Sequence, residues 1–182
     1  MTSCYTEEVL NKQELLFTVD EENQPITSNP RSEVHTHGYW HRTTHLWLFN
    51  NAKQILCQKR SLLKDINPGK WEAFFGGHVL ADQEYIDNAV QEVQEELGIT
   101  VMSSDMHLSQ LYKNEQGKEF QAVYLLPWDV DITMLNLEKE EVEKIAWFDL
   151  GELEQLLLKE KSTSWSIMGY ENELLQKIQT YS

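Results

Sequence analysis

The amino-acid sequence predicts an α/β sandwich, with a mixed β-sheet held between helical layers. Three observations lead there. Strand-like segments fall on both sides of one strongly amphipathic helix at residues 86–97, and two more helical segments close the chain. Turn signals at 50–53 and 114–117 join consecutive strands as hairpins. No internal repeat and no Pro-, Gly- or Ser-rich linker divides the 182 residues, so 1–182 is expected to form a single domain with a sizeable core.

In chain order, residues 1–12 read as a loose or partly helical lead-in, and 14–19 (ELLFTV) as a strand. Residues 20–30 read as a turn-rich connection, with Arg31 beyond it. Four histidines follow within eleven residues, His35, His37, His41 and His45; they suggest metal or phosphate contact but fit no single metal template. Strands are expected at 45–50, 54–59 and 71–75, with a firm turn at Asn67-Pro68-Gly69. Beyond the central helix, strands are expected at 106–113, 119–127 and 142–149, then an amphipathic helix at 150–159. The charged run 138–141 reads as a solvated loop, one of whose acids could reach a site; 162–168 is a polar break and 170–178 a terminal helix.

Composition narrows the function. A net charge of −15 gives no global support to nucleic-acid or anionic-membrane binding. No apolar run approaches the ~18 residues of a membrane span. The N-terminus lacks a basic start followed by an apolar core, so secretion is not expected. Two cysteines, Cys4 and Cys57, form no disulfide framework, and a cytoplasmic location is expected. Cys57 reads as a packed core thiol.

The chemistry concentrates at residues 76–99, GGHVLADQEYIDNAVQEVQEELGI. Ile86, Ala89, Val90, Val93 and Leu97 form one apolar stripe at the helical period. Asp82 is placed to cap the start and Gly98 to end the helix in the left-handed region. Off the stripe, Glu92, Glu95 and Glu96 share an arc of about 100°. Like charges so spaced repel by a few tenths of a kcal/mol per pair, and a hard divalent cation with oxygen ligands would relieve them. A solvated acidic face is the alternative; the Gly76-Gly77 turn directly upstream favours the metal.

Gly77, Glu92, Val93, Glu95, Glu96, Gly98 and Ile99 resemble the Nudix box, G-x5-E-x7-R-E-U-x-E-E-x-G-U with U apolar, over residues 77–99. Gln83 and Gln91 depart from it, standing where the family has Glu and Arg. An amide can hydrogen-bond a carboxylate but brings it no positive charge. The resemblance implies the Nudix fold, an α/β/α sandwich, and a hydrolase using Mg²⁺ or Mn²⁺. It implies metal ligation by Glu92, Glu95 and Glu96, with a main-chain carbonyl of Gly76 or Gly77. Glu92, Glu96 or Glu119 would be the general base. The implied substrate is a nucleoside diphosphate linked to another moiety, or a related small-molecule diphosphate. Arg42, Arg60, His35 and His78 are candidate diphosphate contacts, and Trp71, Trp40 or Tyr39 could stack on an outer group. A homodimer is left open.

Further segments, R-x3-H-x5-HR from Arg31, WLFN, QKRS, NPGKW and GGHV, are similar to the branch that includes isopentenyl-diphosphate isomerase. His41 and His78 match metal-binding positions of that isomerase and Glu119 an acidic one, whereas Gln121 replaces a further Glu. Gly76 stands where the isomerase has an essential Cys, and it has no side chain to move a proton. A hydrolase is therefore expected over an isomerase; a diphosphate-binding module without turnover is the alternative.

Overall fold

The computed structural model describes residues 14–159 and 163–181; the lead-in at 1–12, and Cys4 with it, lies outside them. The elements are β1 (Leu15–Val19), β2 (Pro25–Pro30), α1 (Arg31–His37), β3 (His41–Phe49), β4 (Gln54–Arg60), β5 (Trp71–Glu72), α2 (Tyr85–Leu97), β6 (His107–Asn114), β7 (Glu119–Pro127), β8 (Val142–Asp149), α3 (Leu150–Lys159) and α4 (Glu171–Thr180).

β3 is the organising strand. It runs parallel to β7 over nine register pairs, from His41↔Glu119 to Phe49↔Pro127. Both strands are buried almost throughout, as parallel strands covered on two faces must be. Alternate side chains feed separate layers. Trp47, Phe49, Val123 and Leu125 pack with Leu153, Leu157, Leu174 and Ile178 of α3 and α4. Leu46, Leu48, Ala122, Tyr124 and Leu126 pack against Ala89, Val93 and Leu97 of α2. This is the expected α/β/α sandwich, and Cys57 is buried in it as a free thiol.

The sheet forks, and the fork makes the site. β3 and β4 pair only at Phe49↔Ile55, after which β4 follows β8. The freed edge of β3 is taken by residues 75–79 of the segment from Phe75 to Leu80, whose Leu80 bridges Leu16 of β1. Phe75 exchanges backbone hydrogen bonds with Leu46 (2.7 and 2.9 Å), and Thr44 N–H donates to Gly77 O (2.9 Å). The strand expected over 71–75 is therefore a two-residue β5 followed by isolated bridges.

Three expectations need correction. Residues 25–30 form β2, antiparallel to β1 with a bulge at Thr18/Val19. PITSNP hides this because an exposed edge strand needs no apolar alternation, and its prolines stand at the two ends, where a missing N–H breaks least. Residues 31–37 form α1, which buries only Val34 and ends at left-handed Gly38; one buried residue leaves no periodic signal. Asp82 does not cap α2: the helix begins at Tyr85, after Glu84, with no side-chain cap. Its other end is as expected, with Gly98 at φ 69°. All five stripe residues pack in the α2 cluster. Among the described residues no helix is long and apolar enough to cross a membrane.

Candidate active site

Between α2, the Phe75–Leu80 segment and the start of α1 lies a cleft of about 610 Å³, lined by nine glutamates and only three Arg or Lys side chains, Arg31, Arg60 and Lys64. The glutamates of α2 form its acidic focus. Glu96 is only 3% exposed, and its Oε2 accepts from Gly76 N–H at 3.2 Å. Glu92 Oε1 accepts from Asn88 Nδ2 at 3.3 Å, and its carboxylate lies so close to Gly77 that a Cβ there would stand 2.3 Å from it. Asn88 is fixed in turn by Thr44 Oγ1 (2.5 Å) and His78 O (3.0 Å). Burial, then the neighbouring Glu95, pushes Glu92 up to about 8. Burial, then Glu92, holds Glu96 well above the usual carboxylate range.

These shifts predict a pH effect on stability. Glu92 titrates near 4.5 when unfolded and about 8 when folded, so between those values the native state binds more protons. The stabilisation is complete below about 4.5 and lost as pH climbs through about 8. Burial depresses His35, His41 and His78, which acts oppositely but only below their unfolded value of 6.5. Above pH ~7 the glutamates act alone, and the melting temperature of metal-free protein is expected to fall from pH 7 to 8.5 by several degrees. Millimolar Mn²⁺ should remove the fall; a flat metal-free profile would show that burial does not hold Glu92 and Glu96 above the usual carboxylate range.

The Gln83 and Gln91 departures have a visible consequence. Gln83 Oε1 accepts from Leu80 N–H (3.2 Å), Gln83 Nε2 donates to Gln91 Oε1, and Gln91 Nε2 donates to Glu95 Oε1 at 2.7 Å. A one-way relay of amides thus orients Glu95 from the turn backbone without any charge. Gln83→Ala and Gln91→Ala are each expected to weaken Mn²⁺ binding about 10-fold, as loss of an outer-shell partner does. Because they break the same chain, the double variant should be little worse than either single one. Additive losses measured by calorimetry would refute the relay.

A second cluster was only half visible in the sequence. Ring nitrogens of His35, His41 and His78 lie within 4.8 Å of one another, and His35 Nε2 is 3.1 Å from His78 Nε2. Glu119 Oε1 is 3.7 Å from His41 Nε2, which is buried without a hydrogen-bond partner. Burial raises Glu119, against hydrogen bonds from Gln121 and Asn114. Of the four clustered histidines only His35 and His41 meet here. His37 turns to Glu33 O and stacks on Tyr39, while His45 is buried elsewhere in the cleft against Phe74 and Tyr170.

Arg60 lines the cleft, bonded to Glu72 (3.0 Å) and Ile66 O (3.0 Å). Five expected substrate contacts, Arg42, His35, Trp71, Trp40 and Tyr39, do not line it. Arg42 is committed to Asn23 through Nε and Nη2 (both 2.8 Å), over the rings of Phe17 and Tyr85. Trp71 packs between Phe148 and Trp165; Trp40 packs on Phe120. Arg31 and Lys64 take their place, bound to Asp65 (2.9 Å) and Glu141. Arg31 opens the R-x3-H-x5-HR pattern and Arg42 closes it, so the pattern gave no ground for choosing between them. Glu138, Glu140 and Glu141 of the charged run also line the cleft.

A glycine turn feeding a glutamate-bearing helix across an α/β/α sandwich defines the class of protein, and the comparisons agree. The family model for the NUDIX domain matches residues 39–168. The Uncharacterized Nudix hydrolase PA4841 of Pseudomonas aeruginosa is 43% identical over 131 residues, covering 72% of this chain and 76% of the relative. An uncharacterized Nudix hydrolase of Clostridium acetobutylicum is 30% identical over 155 residues, covering 80% and 75%. Among solved structures, DR0079 of Deinococcus radiodurans superposes with a TM-score of 0.72 at 20% identity, over 93% of this chain and all of that one. The NUDIX domain of Shewanella oneidensis NrtR, solved with ADP ribose, does so at 0.56 and 13% identity, over 76% of this chain and 85% of that one. This chain belongs to the Nudix family.

Proposed function

We propose that this protein is a divalent-metal-dependent Nudix hydrolase that cleaves the diphosphate linkage of a nucleoside diphosphate-X or related compound by attack of water on phosphorus. The observation that carries the proposal is the packing of Glu92 and Glu96 against the Gly76-Gly77 turn with Glu95 lining the same cleft, and with no salt bridge to any of the three among the described residues. All-oxygen donors suit Mg²⁺ or Mn²⁺. Gly77 O already accepts Thr44 N–H, whereas Gly76 O accepts no backbone N–H among the described residues, so Gly76 is the better carbonyl donor. The metal, when bound, would neutralise phosphate charge and lower the pKa of water.

The chain's own groups do the rest. Arg31, Arg60 and Lys64 would exchange their carboxylate partners for phosphate oxygens, with guanidinium forks suited to paired contacts. Glu119, buried beside His41 and raised by that burial, is our candidate base, with Glu92 and Glu96 as alternatives. It takes one water proton as the new P–O bond forms and the bond from phosphorus to the bridging oxygen breaks; the leaving phosphate keeps the electron pair. His35, His41 and His78 would hold a second, nitrogen-preferring cation.

The isomerase alternative is opposed by geometry. Gly76 has φ +147°, and a Cβ there would stand 1.9 Å from Thr44 O, so this backbone has no room for a cysteine. ADP ribose in the NrtR domain supports the fold's capacity for a nucleoside diphosphate-sugar. The test is phosphate release from nucleoside di- and triphosphates, nucleotide sugars, dinucleoside polyphosphates, coenzymes and prenyl diphosphates, with and without Mg²⁺ or Mn²⁺. Metal-dependent cleavage of one class supports the proposal; binding without release favours a non-catalytic module.

A further inference from the structure

The cleft has a second polar feature, on the face of β3 turned away from α2. His45 is 6% exposed, its ring stacked on Phe74 with centroids 3.9 Å apart. Its Nδ1 is hydrogen-bonded to the hydroxyl of Tyr170, the residue that leads into α4. A phenol is a stronger donor than an imidazole N–H, and an imidazole nitrogen a stronger acceptor than a phenol oxygen, so Tyr170 donates. Burial pushes His45 down to about 3 and Tyr170 well up, keeping both neutral. A neutral imidazole accepting at Nδ1 carries its proton on Nε2. Nε2 has no protein partner among the described residues.

Two residues back on the same face, Thr43 also lines the cleft. Its Oγ1 is buried and unpartnered. Its register partner on β7, Gln121, spends Nε2 on Glu119 (2.6 Å) and leaves Oε1 unpartnered. A buried polar atom left unsatisfied costs about 1–3 kcal/mol; Thr43 Oγ1 is such an atom at the cleft, beside the unpartnered Nε2 of His45, and together they point to a ligand. Neither His45 nor Thr43 carries charge, so the phosphates belong to the basic side chains elsewhere in the cleft. Phe74 and Met168 add apolar surface beside them.

We propose that His45 Nε2 and Thr43 Oγ1, with Tyr170 setting the tautomer, form a subsite for an uncharged group of the substrate that offers hydrogen-bond acceptor and donor atoms together. A hydroxylated sugar and an amide-bearing ring share that chemistry. The inference rests on the hydrolase reading and adds the moiety beyond the diphosphate. His45 and Thr43 are binding residues here, and Tyr170 is a positioning residue.

The experiment compares wild type, His45→Gln, His45→Met, Thr43→Val and Tyr170→Phe on the diphosphate panel, with inorganic pyrophosphate and isopentenyl diphosphate as probes lacking such a group. The best wild-type substrate should be a nucleotide sugar, dinucleoside polyphosphate or similarly hydrogen-bonding compound. Its kcat/KM relative to pyrophosphate should fall about 10-fold in His45→Met and Thr43→Val, the worth of one hydrogen bond. His45→Gln, which keeps an N–H near Nε2, should recover most of the ratio. Nitrogen-15 spectra should show the His45 proton on Nε2 in wild type and a tautomer mixture in Tyr170→Phe. Turnover with an unchanged ratio, a hydrocarbon diphosphate as best substrate, or a proton on Nδ1 would overturn the subsite alone. Absence of wild-type turnover would overturn the hydrolase reading and the subsite with it.

Discussion

Glu96→Gln is expected to lower metal-dependent turnover by ~10²-fold or more, the range set by losing one essential carboxylate, while raising the melting temperature of the metal-free protein. Both effects come from one cause. Glu96 is buried beside Glu92, and that burial disfavours its charge. The amide keeps the shape and can still accept from Gly76 N–H, so the turn stays in place. It removes the cost of burying a carboxyl that would ionise in water, and with it the negative oxygen a cation would need. Mn²⁺ affinity should fall at least ~10-fold, and the pH 7–8.5 decline in stability should shrink. Thermal melts with and without Mn²⁺ read both arms. A variant that is less stable without metal, or that still turns over at the wild-type rate, would contradict the assignment of Glu96.

Gly76→Ala should be the most damaging single-methyl change in the fold. A Cβ would lie 1.9 Å from Thr44 O and 2.8 Å from its carbonyl carbon, both backbone atoms that cannot swing aside. The residue's φ of +147° adds strain for any side chain, of order 1–3 kcal/mol. The only relief is to pull the Phe75–Leu80 segment off the edge of β3, breaking its hydrogen bonds and moving Gly76 N–H away from Glu96. A loss of about 3 kcal/mol or more is expected, a fall of roughly 6–12 °C in a chain of this size. Gly151, whose Cβ would meet nothing within 4 Å, is the control: Gly151→Ala should be nearly neutral. Equal melting temperatures for the two variants would show that the turn tolerates a side chain.

What the sequence determined by itself was everything written in local periodicity or fixed spacing. The α2 stripe announced which face would be buried, and the glutamates at i, i+3 and i+4 were bound to share the other side of the same helix. β7 and β8 are found with the bounds expected for them, β7 as a nearly continuous buried run and β8 through its IAWF core. Gly98 was legible because a helix end favours the one residue without a Cβ. β2 and α1 were not, since an edge strand and a seven-residue helix bury too little to leave a pattern.

Tertiary structure alone decided which charges and rings meet. Nothing local distinguishes Arg31 from Arg42; the hairpin of β1 and β2 claims Arg42 through Asn23 and leaves Arg31 at the cleft. Trp71 reads as a stacking candidate until Trp165, ninety-four positions away, covers it. His45 reads as one of four clustered histidines, yet it stands four residues along β3 from His41 on the same face, where Tyr170, 125 positions on, meets it instead. The physical reason is common to all three. A sequence records how each side chain faces its own backbone, whereas a partner is chosen by the pairing of strands, and here by the fork between β3 and β4.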